Sequence, residues 1–253
     1  MAEIRPFRAL HYNQAKVKDL STVITQPYDK ISPEMQTGYY GRSPYNLVRV
    51  IRARNEAPAG AQESVYTRAA RDFHDWIKAQ ILISESEPAL YPYYQEYKVP
   101  GQGCAGKERR GFIGLCRLED YSARVVHRHE ETLSGPKADR MELLKRTRAH
   151  FGQVFFLYSD PEGTVEAALA SKIERERWEE LTDEYEGRHS VWRITDSAVI
   201  EQVVRAMRGK KLVIADGHHR YETALAYRNL RQADSDAGES SNYVMATFIR
   251  IET

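Results

Sequence analysis

The sequence is short of cysteine. Cys104 and Cys116 are the only two among 253 residues, too few to staple a fold, and Cys116 falls inside an apolar run that reads as a strand. We therefore expect no structural disulfides and a cytoplasmic location. The chain also lacks any apolar run of the length a bilayer crossing needs, and Met1 to Pro6 carry no signal-peptide core. Charge of one sign is missing as well. The 37 Lys and Arg residues balance 36 Asp and Glu, so no global field favours nucleic acid or a membrane surface, and any anion must be recognised locally. No internal repeat is visible, which excludes solenoids and propellers. What remains is a length suited to one large domain or two small ones, with ample material for a core.

The most informative residues that are present lie between Lys211 and Leu225. The apolar run Leu212-Val213-Ile214-Ala215 leads into Asp216-Gly217-His218-His219-Arg220-Tyr221. This reads as a strand, a glycine turn and a helix start. The first turn of a helix has unpaired N–H groups and the positive end of the dipole, so it suits a phosphate. His218, His219 and Arg220 would add side-chain donors, while Asp216 would orient one of them or hold a metal on the phosphate.

The other elements follow from periodicity and turn signals. The first sixty residues are rich in Pro, Gly and Asn turns around the apolar run Leu47 to Ile51, and read as loops around a strand or two. Over 64–82, Ala69, Phe73, Trp76, Ile77 and Ile81 share one side at helical spacing and predict a helix packed on a sheet. Tyr91 to Val99 and Arg110 to Leu118 alternate as a β-hairpin around a glycine-rich joint. A short strand at 125–127 precedes a polar loop and then a helix with Pro136 in its first turn. A strand is expected at 154–158, a charged helix across 162–186, a strand at 191–195, and a helix capped by Asp196 and stopped at Gly209. A strand over 243–251 completes the pattern, and its place at the end predicts that further chain follows. The class is α+β, a mixed sheet with flanking helices. The expected division is an N-terminal α/β region, 1–120, and a catalytic region, 121–253, with an inserted segment at about 160–208.

Four of the eight histidines form two clusters, His127/His129 and His218/His219, each beside carboxylates. Three readings stay open. The clusters could hold a transition metal, with His-x-His on one strand face and Glu130 or Asp216 completing the set. Alternatively, Arg220 and the second cluster bind phosphate while Glu130 acts as general base on a substrate hydroxyl. The third reading is capping and surface polarity alone. Lys137 and Arg140 supply further cations for a phosphate, although the stretch is not a Walker loop and both could simply pair with Asp139 and Glu142. Tyr28, Asp29, Arg42 and the run 45–49 could close over the same place as a lid, or merely close turns.

At Asp216-Gly217-His218-His219-Arg220 the sequence resembles the ParB/sulfiredoxin superfamily, most closely its free serine kinase branch. His129-Glu130 resembles the upstream pair in which the glutamate is that branch's catalytic base. Over nearly its whole length the chain resembles the bacterial family known as domain of unknown function ten-fifteen, through Arg5-Pro6-Phe7-Arg8, Pro27-Tyr28-Asp29, Ser43-Pro44-Tyr45-Asn46, His129-Glu130-Glu131-Thr132 and Gly135-Pro136-Lys137-Ala138-Asp139-Arg140. The resemblance implies a ParB/sulfiredoxin-like sheet. It also implies phosphoryl transfer from ATP or ADP, with Mg2+, to the hydroxyl of a small amino acid such as free serine, giving O-phosphoserine. Glu130, Asp216 and His219 would be catalytic, and Asp216 would hold the metal. Gly217, His218, Arg220, Lys137 and Arg140 would bind phosphate or nucleotide. A rival expectation is a non-catalytic nucleotide-binding regulator of the ParB-like type. For both motifs to meet, the long stretch between Glu130 and Asp216 must fold out of the way.

Overall fold

The computed structural model describes residues 1–55, 63–99, 106–132, 134–173, 177–232 and 238–252. In chain order its strands and helices are β1 (Ile4–Arg5), β2 (Leu10–Tyr12), α1 (Pro33–Arg42), α2 (Val48–Ile51), α3 (Val65–Lys78), β3 (Leu82–Ser84), β4 (Tyr91–Tyr97), β5 (Lys107–Arg117), β6 (Val126–His127) and α4 (Ser134–Thr147). The remainder are β7 (Val154–Tyr158), α5 (Thr164–Ala170), β8 (Glu179–Thr182), β9 (Arg188–Val191), α6 (Ser197–Met207), β10 (Leu212–Asp216), α7 (His218–Gln232) and β11 (Tyr243–Arg250). The fold is α+β with a mixed sheet, as its sequence pattern predicts. Among the described residues no helix is long and apolar enough to cross a membrane.

The chain forms two compact units that are not consecutive in sequence. One comprises Met1–Ala9, Ser86–Lys137 and Gln153–Thr253, the other Leu10–Glu85 and Ala138–Gly152. In the first unit nine strands make one sheet in the order β6-β10-β7-β11-β5-β4-β9-β8, with β1 beside β5. Most pairs are antiparallel, but β10 runs parallel to β6 and β11 parallel to β7. The hairpin expected at 91–118 is present as β4 and β5, while its glycine-rich joint at 100–105, including Cys104, lies outside the described residues. The strand at 243–250 is interior, seven of its residues pairing with β5 and five with β7.

Core formation follows the two-residue period of these strands. Phe112, Phe156 and Phe248 stack across β5, β7 and β11 with centroids 4.9 and 5.7 Å apart, all fully buried, a geometry that adds aromatic attraction to burial. Gly111 is required where β5 meets β11, because a Cβ there would run into the Ile249 side chain and the Phe248 carbonyl oxygen. Tyr221 of α7 is fully buried against the sheet, and its hydroxyl accepts from Glu119 N–H at 3.0 Å and donates to Glu119 C=O at 2.7 Å. Asp196 caps α6 through Ala198 and Val199 N–H, as its position before an apolar helix predicts.

Four local expectations are corrected. The run Leu47 to Ile51 is not a strand: Asn46, fully buried, accepts from Val48 N–H at 3.0 Å and donates to the carbonyls of Thr22 and Ile24, and this side chain starts the short helix α2. Nearby, Ser32-Pro33-Glu34 is a helix start rather than a turn, since Ser32 accepts from Met35 N–H and Pro33 opens α1. Among the described residues, the charged stretch 162–186 is helical over α5 alone. Beyond it, Asp183 accepts from Tyr185 and Gly187 N–H, a side-chain-closed turn that joins β8 to β9. The strand placed at 191–195 is shifted to Arg188–Val191, with Ile194 making only an isolated bridge to Leu90.

In the second unit, α3 carries Ala69, Phe73 and Trp76 onto a core with Val17, Val23, Val50, Leu82 and Leu143 of α4. Helix α3 begins at Ser64, whose hydroxyl accepts from Thr67 N–H. Tyr39, Ile31, Val48 and Ile51 form a smaller cluster.

Candidate functional site

The parallel pairing of β6 with β10 decides where the chemistry sits. Leu212 lies opposite Val126 and Val213 opposite His127, so both strands end at the same edge of the sheet. The residues that follow β6, His129 and Glu130, therefore emerge beside those that follow β10, Gly217 and His218. The crevice beyond the carboxyl ends of neighbouring parallel strands is where open sheets commonly receive ligands. The stretch between the two motifs does not keep them apart, because β8 and β9 extend the far side of the sheet beyond β4.

Strand β10 is built by Leu212 and Ile214, both fully buried, alternating with the exposed Val213. Its register against β7 shifts between Ile214 and Asp216. Gly217 then takes φ +93°, a conformation that favours glycine, and α7 begins. His218 is the buried anchor, with a side chain 1% exposed. Its Nδ1 lies 2.8 Å from Glu130 Oε1, whose own side chain is 51% exposed. Burial pushes the His218 imidazole below its usual pKa, and the attraction of Glu130 opposes that only in part. The ring is then neutral at neutral pH, so Nδ1–H donates to the carboxylate and Nε2, buried, has no hydrogen-bond partner among the described residues. His129 stands edge-on to His218, centroids 4.6 Å apart and planes at 89°.

A second polar centre stands one turn further along α7. Glu222, 14% exposed, accepts from Lys137 Nζ at 3.1 Å, from Arg128 Nη1 at 3.2 Å and from the Thr132 hydroxyl. Burial raises its carboxyl, but the hydrogen bonds from Thr132 and Lys137 and the nearby positive charges outweigh it and hold it below the usual carboxylate range. Glu222 ties the segment carrying Glu130 to the helix carrying His218. It was not among the residues expected from sequence; the available signal is its spacing of four from His218, which puts both on one helix face.

The remaining expected residues fall in different places. Arg220 folds back over Gly217, where a Cβ would lie 3.1 Å from its Cζ and Nε, and it donates to Asp216 and to the Gln153 carbonyl. Asp216 itself is 64% exposed at the end of β10. His219 is half-buried at the next position of α7. Lys137 belongs to the first unit and Arg140 to the second. Arg140 pairs with Asp139 and covers the Tyr28 ring at 4.1 Å, while Glu142 pairs with Lys145. His127 corrects the expectation of a His-x-His pair facing one ion: β6 ends at His127, so strand alternation does not carry to His129. Among the described residues, the group whose ligand atoms converge is His129, Glu130 and His218.

The sequence pattern of the family described as "Protein of unknown function (DUF1015)" matches residues 4–253. No curated protein and no solved structure matches the chain.

Proposed function

We propose, from the premise that this chain belongs to the DUF1015 family, that it is a nucleotide-dependent phosphotransferase acting on the hydroxyl of a small amino acid such as free serine. The observation that carries the reading is the contact between Glu130 and His218 at the helix start of α7, at 2.8 Å. It sets a solvent-accessible carboxylate beside a turn and helix start suited to phosphate. We read β6, β10 and α7 as the ParB/sulfiredoxin-like portion of the sheet.

In this reading the donor's phosphates lie against the backbone at Gly217 and the first turn of α7, with His219, Lys137 and Arg220 as side-chain candidates. Arg220 and Lys137 must each exchange one of their present bonds to serve there. The acceptor hydroxyl gives its proton to Glu130 as its oxygen bonds to phosphorus, and the bond from phosphorus to the nucleotide leaving oxygen breaks. His218 keeps Glu130 oriented by donating to it. Phosphoryl transfer asks the protein mainly for positioning and charge neutralisation, which these groups offer. Asp216 fits a hydrated Mg2+, being an exposed carboxylate at the sheet edge, and the ion when bound would neutralise phosphate charge.

The test is incubation of the full chain with Mg2+, ADP or ATP and a pool of hydroxyl amino acids, read by mass spectrometry. Glu130→Gln should lower turnover about 100-fold or more while nucleotide affinity stays nearly unchanged, since general-base contributions are of that order. Turnover that survives in this variant overturns the base assignment. Nucleotide affinity without any phosphate ester would favour a non-catalytic regulator instead.

A further inference from the structure

The group formed by His129, Glu130 and His218 has a chemistry of its own. One ligand atom from each lies within 4.8 Å of the others. Two imidazoles and one carboxylate are a donor set for a borderline transition ion, whereas Mg2+ prefers an all-oxygen shell. The three come from two separate elements, the segment after β6 and the start of α7, so an ion would clip them together. His218 is held rigid by burial, 1% exposed at its side chain, while Glu130 is 51% exposed and leaves a path for entry. The His129 and His218 rings are perpendicular rather than stacked. The loop's cations are engaged elsewhere, since Arg128 and Lys137 both donate to Glu222. The buried Nε2 of His218 has no hydrogen-bond partner among the described residues, so the proton that Nδ1 now donates to Glu130 can move to Nε2 when an ion takes the Nδ1 lone pair.

We propose that His129, Glu130 and His218 bind one Zn2+-class ion, with the remaining coordination position open to water. This goes beyond the phosphotransferase reading and does not rest on it. An ion there engages the Glu130 carboxylate, so Zn2+ would oppose the role of Glu130 as a base, while a Mg2+ at Asp216 would not.

Co2+ serves as the probe, because a site of low coordination number gives it an intense visible absorption that the hexa-aqua ion lacks. The full chain is stripped with chelator and titrated with Co2+, then back-titrated with Zn2+. We expect one ion per chain and displacement of the Co2+ band by Zn2+. His129→Ala and Glu130→Gln, both at exposed positions, should each weaken binding at least about tenfold, given that even indirect partners of metal ligands are worth that much. His74→Ala, on the exposed side of α3, should leave binding unchanged. The proposal is overturned by a spectrum that stays that of hydrated Co2+, by wild-type affinity in His129→Ala and Glu130→Gln, or by loss of binding in His74→Ala. A phosphate ester formed by a chain that shows no Co2+ band would sink the metal site and leave the phosphotransferase reading standing. The converse result would do the reverse.

Discussion

Glu222 is the residue whose removal most directly tests how the site is assembled. Its carboxylate receives Thr132, Lys137 and Arg128, so it holds the segment after β6 onto α7. A hydrogen bond to a shielded carboxylate contributes about 1.5–3 kcal/mol. The pairs to Lys137 and Arg128, whose side chains are 36% and 43% exposed, add about 0.5 kcal/mol each after solvent screening. Glu222→Ala should therefore weaken this attachment by about 3 kcal/mol, and Glu222→Gln by roughly half that, because the amide still accepts from Thr132. Amide hydrogen exchange is the suitable assay, since it reads local opening. Exchange across residues 128–132 should accelerate on the order of 100-fold in Glu222→Ala, while β5 and β11 stay protected. If residues 128–132 exchange at the wild-type rate in that variant, Glu222 does not hold the segment, and the geometry proposed for Glu130 loses its support.

Two further predictions concern stability. Glu3 is held down to about 2 by the Tyr243 hydroxyl, at 2.5 Å, and by Arg117 at 2.8 Å. A carboxyl depressed on folding stabilises fully above its ordinary value near 4.5 and loses that contribution as pH falls toward 2. The shift corresponds to at most about 3 kcal/mol, which partial exposure reduces to about 1–2. The Tm gap between wild type and Glu3→Gln should thus be open at pH 7 and close by pH 2; a gap that is constant with pH contradicts the assignment. Gly217→Ala should cost about 1–2 kcal/mol in urea denaturation, because alanine disfavours its positive φ and the new Cβ crowds the Arg220 guanidinium. An unchanged midpoint would show that the turn is not constrained.

The strands were legible where burial imposes a two-residue period, as in Leu212 and Ile214, and the helices where caps and periodicity agree, as at Asp196. Leu47 to Ile51 misled because four apolar residues suit either structure, and the deciding contacts of Asn46 come from Thr22 and Ile24, far upstream. The stretch 162–186 misled because charge suggested one solvated helix, whereas Asp183 closes a turn with its own side chain. At the site, the importance of the two motifs was readable but their meeting was not. It depends on β6 lying parallel to β10, a pairing between residues far apart that no local pattern encodes. Glu222 was missed for a similar reason, since its partners Thr132 and Lys137 are close to it only in the folded chain.

The central claim is that Glu130, oriented by His218, takes a proton from a hydroxyl while phosphate rests at the start of α7. Mass spectrometry of the full chain with Mg2+, ATP or ADP and serine measures it most directly. The account predicts O-phosphoserine that grows with time and is lost in Glu130→Gln. No phosphate ester on any hydroxyl amino acid, from protein that demonstrably binds the nucleotide, would contradict it.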